Sequence, residues 1–249
     1  MFVVASTECF PDLPLDATLQ RLVDLEYTSV EIDIHEDGNH LKPSEVLADF
    51  NKAVDRCRHT LRLSPVGYSV NITAAGEAYY EQFAAICRLA KATKVVCLAI
   101  PSADLGTPFN EEVERLRRLV TLASVEGVVV GLKTEYGRVS GDPDTVGVLC
   151  ENVKELAVTL DPSHLAYGER AGGSYESLLK YTCHVHLRDT KKDEFQVRVG
   201  QGDIEYGRLI TLLGKYKYSR ALSVHVRPVE GIDHTGEMRK LRLLLESLL

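Results

Sequence analysis

Ionisable side chains recur near the ends of short β-branched segments in this chain of 249 residues. Four of them combine two acids with two imidazoles: Glu135, Asp161, His186 and His225. Ionisable groups inside a protein are costly unless they are paired or bind a metal. Carboxylate and imidazole ligands suit Mn²⁺, Mg²⁺, Co²⁺ or Zn²⁺, and the lack of thiolates argues against a structural zinc. The structural alternative is a network of interior ion pairs, with Lys133 and Arg188 neutralising the acids.

Alternation along the strands places these groups on one side of a sheet, because successive side chains of a strand point to opposite faces. Apolar and polar positions alternate in five segments: Ser29–His35, Val128–Glu135, Ala157–Asp161, His184–Arg188 and Ala221–Arg227. The apolar face of each is suited to packing against helices. The polar face, which includes Glu31 in the first segment, is then directed to the interior of the fold.

The elements that must position these residues form a repeating pattern. Eight strand candidates alternate with helical patterns: Phe2–Ala5, Ser29–Ile34, Leu61–Val66, Lys94–Ile100, Val128–Thr134, Ala157–Leu160, Cys183–Arg188 and Ala221–Val226. Such alternation indicates parallel strands joined by helical crossovers. We therefore predict an α/β protein, a single (β/α)₈ TIM barrel domain over residues 1–249, whose active site lies at the carboxyl ends of the strands. An open doubly wound sheet is disfavoured because Ser6–Leu13 lacks a glycine-rich phosphate loop.

Composition narrows the function classes. The formal charge is −7 and the isoelectric point is near 5.7, which disfavours nucleic acid as a partner. No apolar run approaches the length of about 20 residues needed to cross a membrane, and Met1–Phe10 lacks the features of a signal peptide. The six cysteines include no C-x-x-C pair, so we expect reduced, buried thiols in a cytoplasmic protein. A homo-oligomer is compatible with the sequence.

Four motifs in chain order carry a family resemblance: Leu132-Lys133-Thr134-Glu135, Thr159-Leu160-Asp161-Pro162-Ser163-His164, His184-Val185-His186-Leu187-Arg188-Asp189 and Val199-Gly200-Gln201-Gly202. Their order and spacing resemble the xylose isomerase-like TIM barrels, a superfamily of sugar and sugar phosphate isomerases and epimerases. The resemblance implies that Glu135, Asp161 and His186 are metal ligands. It also implies that His164 contacts the substrate or a second metal.

The last strand departs from this pattern. The family's fourth ligand is a glutamate on strand eight, whereas this chain has His225 at that place. Imidazole still ligates metals, so we predict that His225 completes the site. The departure removes one of the two carboxylates that serve the epimerases as bases. Glu135 is then the first candidate for the base, and His225 is the second.

These residues predict a metal-dependent isomerase or epimerase that acts on a sugar or sugar phosphate through an enediolate. Glu31, His164, Arg188 and Arg198 are the predicted substrate-binding residues. The two arginines are suited to a phosphate or carboxylate, and Glu31 either binds substrate hydroxyls or neutralises a basic neighbour. Lys133 is expected to hold Glu135 by charge pairing.

Three other functions are compatible with parts of the pattern. A lyase or dehydratase acting on a polyol-derived ketone would use the same enolate chemistry, and a sugar-binding barrel weakened by the His225 departure would use none. A phosphodiesterase of the apurinic-site type needs further histidines, and Lys191–Gly202 has none. As a rim ligand, Asp161 is expected to tolerate replacement by alanine with little loss of stability.

Overall fold

Eight parallel strands form a closed barrel in the computed structural model, which describes residues 1–169 and 172–249. The strands are β1 (Phe2–Ser6), β2 (Ser29–His35), β3 (Ser64–Asn71), β4 (Cys97–Ile100), β5 (Val129–Lys133), β6 (Ala157–Leu160), β7 (Thr182–Leu187) and β8 (Ala221–Val224). Each strand pairs with the next, and β8 closes the barrel on β1. The predicted (β/α)₈ TIM barrel is thus confirmed.

Helices cover the outside of the barrel. They are α1 (Leu15–Asp24), α2 (Pro43–Ala48), α3 (Phe50–Arg58), α4 (Glu77–Thr93), α5 (Phe109–Val125), α6 (Pro143–Asn152), α7 (Pro162–Ala166), α8 (Tyr206–Lys215) and α9 (His234–Ser247). Short 3₁₀ helices span Thr7–Cys9, Val139–Gly141 and Glu176–Tyr181. Among the described helices, none combines the length and apolar character needed to cross a membrane.

The third strand lies later in the chain than its sequence pattern predicts. Leu61–Val66 was the expected segment, whereas β3 runs from Ser64 to Asn71. Leu61 has a φ of +56° and is exposed, so it belongs to the turn that precedes the strand. Tyr68 and Val70, both buried, supply the apolar face instead.

The two faces of the strands separate the core from the site. Val30, Ile32 and Ile34 on β2 are fully buried in the layer between strands and helices, as their alternation predicts. The opposite face fills the inside of the barrel, where Gly131 leaves room for the side chains of Thr159 and Cys183. All six cysteines are buried and free of disulfides, as expected.

Candidate functional site

A polar cavity of about 160 Å³ opens at the carboxyl ends of the strands, the catalytic end of this fold. All four predicted metal ligands line it, and the full lining is Glu8, Lys133, Thr134, Glu135, Asp161, His164, His186, Arg188, Phe195, His225 and Arg227. The barrel therefore brings strand ends that are far apart in sequence to one small space. Within this space, however, the ionisable groups separate into distinct clusters.

One cluster surrounds the carboxylate of Glu31, which is fully buried. Nε2 of His186 lies 2.9 Å from its Oε1, and Nε2 of His225 lies 3.0 Å from its Oε2. Ser223 donates a hydrogen bond of 2.6 Å to Oε2, and Nε2 of His184 lies 3.2 Å from the same oxygen. Glu31 comes from β2, whereas its four neighbours lie on or directly after β7 and β8. The contacts therefore join strands across the barrel interior.

The protonation states in this cluster follow from burial and charge. Burial favours the neutral form of Glu31, but the imidazoles of His186, His184 and His225 outweigh it and lower the pKa of Glu31 well below its usual range. Burial lowers the pKa of His186 to about 3, despite the nearby carboxylate. Burial also opposes the charged form of His184, but Glu31 raises the pKa of His184 above its ordinary value. Glu31 therefore favours the charged form of His184, whereas burial favours the neutral form of His186, which is the form that binds metals.

The cluster has the composition and spacing of a metal site. Glu31, His186 and His225 each offer one ligand atom, and these atoms lie within 4.8 Å of one another. One carboxylate with two imidazoles is a donor set found for divalent zinc and iron. In the described ranges this is the one group of three or more such side chains with that spacing. Glu135 and Asp161 are outside it.

Asp161 is held in an ion pair instead. Nη2 of Arg188 donates a hydrogen bond of 3.0 Å to its Oδ2, and only 2% and 7% of the two side chains are exposed. Its Oδ1 caps α7, because it accepts from the backbone N–H of Ser163 at 3.0 Å and from the Ser163 hydroxyl. Burial favours the neutral acid, but Arg188 and the neighbouring imidazoles hold the pKa of Asp161 well below its usual range. The ion-pair alternative therefore describes Asp161.

Glu135 is paired with a different cation from the one expected. Its Oε2 lies 3.3 Å from Nε of Arg138, on the turn that follows β5. The expected ion pair with Lys133 is not formed within residues 1–169 and 172–249. The Glu135 side chain nevertheless stays 27% exposed, compared with 2% for Asp161. It is thus the more open of the two acids toward the cavity.

A family model described as the xylose isomerase-like TIM barrel matches residues 19–245. The chain belongs to this family. The match confirms the resemblance based on the motifs at the strand ends, and it extends over nearly the whole barrel. A comparison with curated protein sequences gives no significant match.

Solved structures share this barrel at low sequence identity. The 3-keto-D-glucoside 4-epimerase YcjR from E. coli has a TM-score of 0.76 and 14% identity over 99% of both chains. A xylose isomerase-like TIM barrel protein from Mycobacterium smegmatis, in complex with magnesium, has a TM-score of 0.76 and 15% identity over 99% of this chain and 95% of that chain. The protein described as the probable 3-DHS dehydratase AsbF from Bacillus anthracis has a TM-score of 0.75 and 14% identity over 99% of both chains. At these identities the likeness concerns the fold alone.

The predicted substrate-binding residues divide between the cavity and other places in this xylose isomerase-like barrel. His164 and Arg188 line the cavity. Burial lowers the pKa of His164 to about 4, and its Nδ1 accepts from the backbone N–H of Tyr136 at 3.0 Å, so the ring is neutral and fixed. Arg198 is exposed and lines a separate depression next to Val226, because the loop after β7 turns it away. Glu31 lies beneath the cavity lining.

Sequence reasoning missed two contacts at the mouth of the cavity. Oε2 of Glu8 lies 3.3 Å from Nδ1 of His225, and its other oxygen contacts Arg227. The ring of Phe195 stacks against the guanidinium of Arg188, with 4.8 Å from the Cζ atom to the ring centroid. Glu8 stands in the first loop after a strand, and such loops belong to the catalytic face of a barrel. The sequence gives one signal of the role of Phe195, namely that it is an aromatic residue within a polar loop.

Asp189 anchors the loop that follows β7, which spans residues 190–202. Its carboxylate accepts hydrogen bonds from the backbone N–H groups of Thr190 at 3.1 Å, Gly200 at 2.7 Å and Gly202 at 3.1 Å. Both ends of residues 190–202 are thereby tied to the end of β7. This anchoring places Phe195 over the cavity.

Proposed function

We propose that this xylose isomerase-like barrel is a divalent-metal-dependent isomerase or epimerase of a sugar or sugar phosphate. The observation that carries the proposal is the buried group of Glu31, His186 and His225 beneath a small polar cavity. The E. coli neighbour is described as an epimerase and the M. smegmatis neighbour as a magnesium complex. Both descriptions are compatible with a divalent metal in this barrel, and the two imidazoles here favour zinc or iron over magnesium.

We assign the metal to Glu31, His186 and His225 rather than to the tetrad that the resemblance implies. His186 and His225 are common to both sets. Asp161 is engaged by Arg188 and Ser163, and Glu135 faces Arg138, so neither is drawn to the imidazoles. A divalent metal bound there would polarise a substrate carbonyl and acidify the neighbouring carbon-bound hydrogen.

Glu135 is the residue to which we assign the proton transfer. It lines the cavity and keeps an exposed part of its side chain, so a carboxylate oxygen is open to substrate. Removal of the proton next to a carbonyl gives an enediolate. Return of the proton by Glu135 to the adjacent carbon isomerises the sugar, whereas epimerisation needs a second donor, such as water, to deliver a proton to the opposite face. We assign His225 to ligation alone, because both of its ring nitrogens already face carboxylates, those of Glu31 and Glu8.

His164 and Arg188 are the residues that we assign to binding substrate oxygens. Both lie in the cavity lining. In the neutral ring of His164, Nδ1 accepts a hydrogen bond from the backbone of Tyr136. The other nitrogen, Nε2, lies 3.8 Å from Oδ2 of Asp161 and is the one that we assign to substrate. Arg188 is fixed by Asp161 and Phe195, so its remaining N–H donors do not have to be ordered on binding.

Metal content and hydrogen exchange test the proposal together. The purified protein is stripped with a chelator and titrated with Zn²⁺, Mn²⁺, Mg²⁺ and Co²⁺. A panel of ketoses and ketose phosphates is then incubated with it in D₂O and followed by proton NMR. We expect deuterium to enter the carbon next to the carbonyl only when metal is present. Elimination of water would appear in the same spectra as a deoxy product and would identify a dehydratase.

Three variants separate the roles. Glu31→Gln should lose metal and exchange together, whereas Glu135→Gln should keep the metal and lose exchange. Glu114→Gln, which alters an exposed ion pair with Arg117, is the control and should change neither. Exchange that persists in the stripped protein, or metal binding that persists in Glu31→Gln, would contradict the proposal.

A further inference from the structure

The charges around the cavity are paired with one exception. Each carboxylate that lines it faces an arginine: Asp161 with Arg188 at 3.0 Å, Glu135 with Arg138 at 3.3 Å, and Glu8 with Arg227. Lys133 also lines the cavity. In the described part of the chain, no carboxylate oxygen lies within 4.0 Å of its ammonium, and the ammonium donates no hydrogen bond.

The position of Lys133 is fixed by the barrel. It is the last residue of β5, where its Cα pairs with that of Thr159 on β6. It shares the interior face with Gly131 and Glu135, two residues away on either side. Its side chain is half-buried. The ammonium is therefore held at the cavity rather than free to turn to bulk solvent.

The buried carboxylate of Asp33 on β2 does not neutralise Lys133 by contact either. Asp33 lies at the end of β2 and is 7% exposed. Because no ion pair forms between the two residues, the donors of the ammonium stay available to a ligand.

We propose that the substrate carries a negatively charged oxygen group, a carboxylate or a phosphate, and that Lys133 binds it. This inference rests on the proposed function, since it names the substrate class of the same site. An ammonium that meets an anionic oxygen forms a charge-assisted hydrogen bond, the stronger kind. A carboxylate balances the charge of each neighbouring arginine, whereas none balances that of Lys133. Lys133 therefore decides between charged and neutral sugars.

The cavity is small and polar, with a volume of about 160 Å³. We expect it to suit a small polar ligand, such as a single sugar unit that itself has a charged group.

Calorimetric titration of the metal-loaded protein at pH 7.5 tests the inference. Three probes share a ketose skeleton: D-fructose is neutral, 2-keto-D-gluconate has a carboxylate in place of the C1 hydroxymethyl group, and D-fructose 6-phosphate has a phosphate. We expect one of the anions to bind roughly 10- to 100-fold more tightly than fructose, the range for a hydrogen bond to a charged group. Which anion does so distinguishes the carboxylate from the phosphate.

Lys133→Met removes the charge and keeps the length of the side chain. This variant should lose the preference for the anion and keep the affinity for fructose, with an unchanged circular dichroism spectrum. Lys191→Met, an exposed lysine of the loop after β7, is the matched control and should keep the preference.

The inference is overturned if neither anion binds the wild-type protein more tightly than fructose, or if Lys133→Met retains the preference. These outcomes are separate from failure of the proposed function. Metal-dependent exchange on neutral ketoses would persist if only the inference were wrong. A preference for anions without any exchange would retain the binding site and refute the isomerase.

Discussion

Replacement of Asp161 by asparagine tests the buried ion pair between Asp161 and Arg188. Asp161→Asn keeps the size of the side chain and an oxygen for the N–H of Ser163, but removes the charge that faces Arg188. Only 7% of Arg188 is exposed, so the variant leaves a buried guanidinium without its partner. We therefore expect a change at Asp161 to cost stability, in contrast to the expectation from the sequence.

The magnitude follows from the burial of both partners. Breaking a buried pair by removing one member costs about 3–5 kcal/mol. Unfolding entropy of about 2.1 cal/mol/K per residue, taken over 249 residues, converts this loss into a fall in Tm of roughly 6–10 °C. The sign of the pH dependence is also fixed. Because the folded pKa of Asp161 lies below its unfolded value of about 3.9, its stabilisation is complete above that value and is lost as the pH falls through the folded pKa.

Urea unfolding of the chelator-treated protein is the assay, since it excludes any contribution from bound metal. At pH 7 the variant should show the full loss of unfolding free energy, and the difference from wild type should narrow below about pH 4. Glu114→Gln, at an exposed pair, should show no measurable loss. A loss below about 1 kcal/mol for Asp161→Asn at pH 7, the level of a surface pair, would refute the reasoning.

Three other substitutions test neighbouring features. His225→Glu places a third carboxylate beside Glu8 and Glu31, so calorimetry should show tighter Zn²⁺ binding and Tm should fall without metal; an unchanged Zn²⁺ affinity would show that residue 225 is not a ligand. Gly131→Ala puts a methyl group 2.5 Å from Oγ1 of Thr159 and should cost about 1–3 kcal/mol in urea unfolding, whereas the unobstructed Gly147→Ala in α6 should not destabilise; equal stability of the two variants would argue against close packing at Gly131. Gly202→Ala overlaps the Asp189 carboxylate, so deuterium exchange should fall while the circular dichroism spectrum stays native, and full exchange would show that the loop does not position the site.

The sequence by itself determined the barrel and the end at which the site lies. Alternation with a period of two assigns each strand residue to a face, and this rule is local. It placed Val30, Ile32 and Ile34 in the core and Glu135, Asp161, His186 and His225 around one cavity. The order of strands and helices along the chain predicted the end of the barrel at which the site lies, because consecutive parallel strands bring all their carboxyl ends to the same rim. The third strand was predicted too early in the chain because Leu61–Val66 also alternates. Leu61 instead adopts a left-handed turn before the strand begins at Ser64.

Only the tertiary structure decided which ionisable groups meet. Glu31 contacts His186 and His225, which are 155 and 194 residues away in the chain, while Asp161 turns to Arg188 and Glu135 to Arg138. Arg198 and Arg188 lie ten residues apart, yet one faces outward and the other lines the cavity. Face alternation says that a side chain is directed inward, but not which partner across the barrel lies within about 3 Å. That choice depends on strand register and loop anchoring.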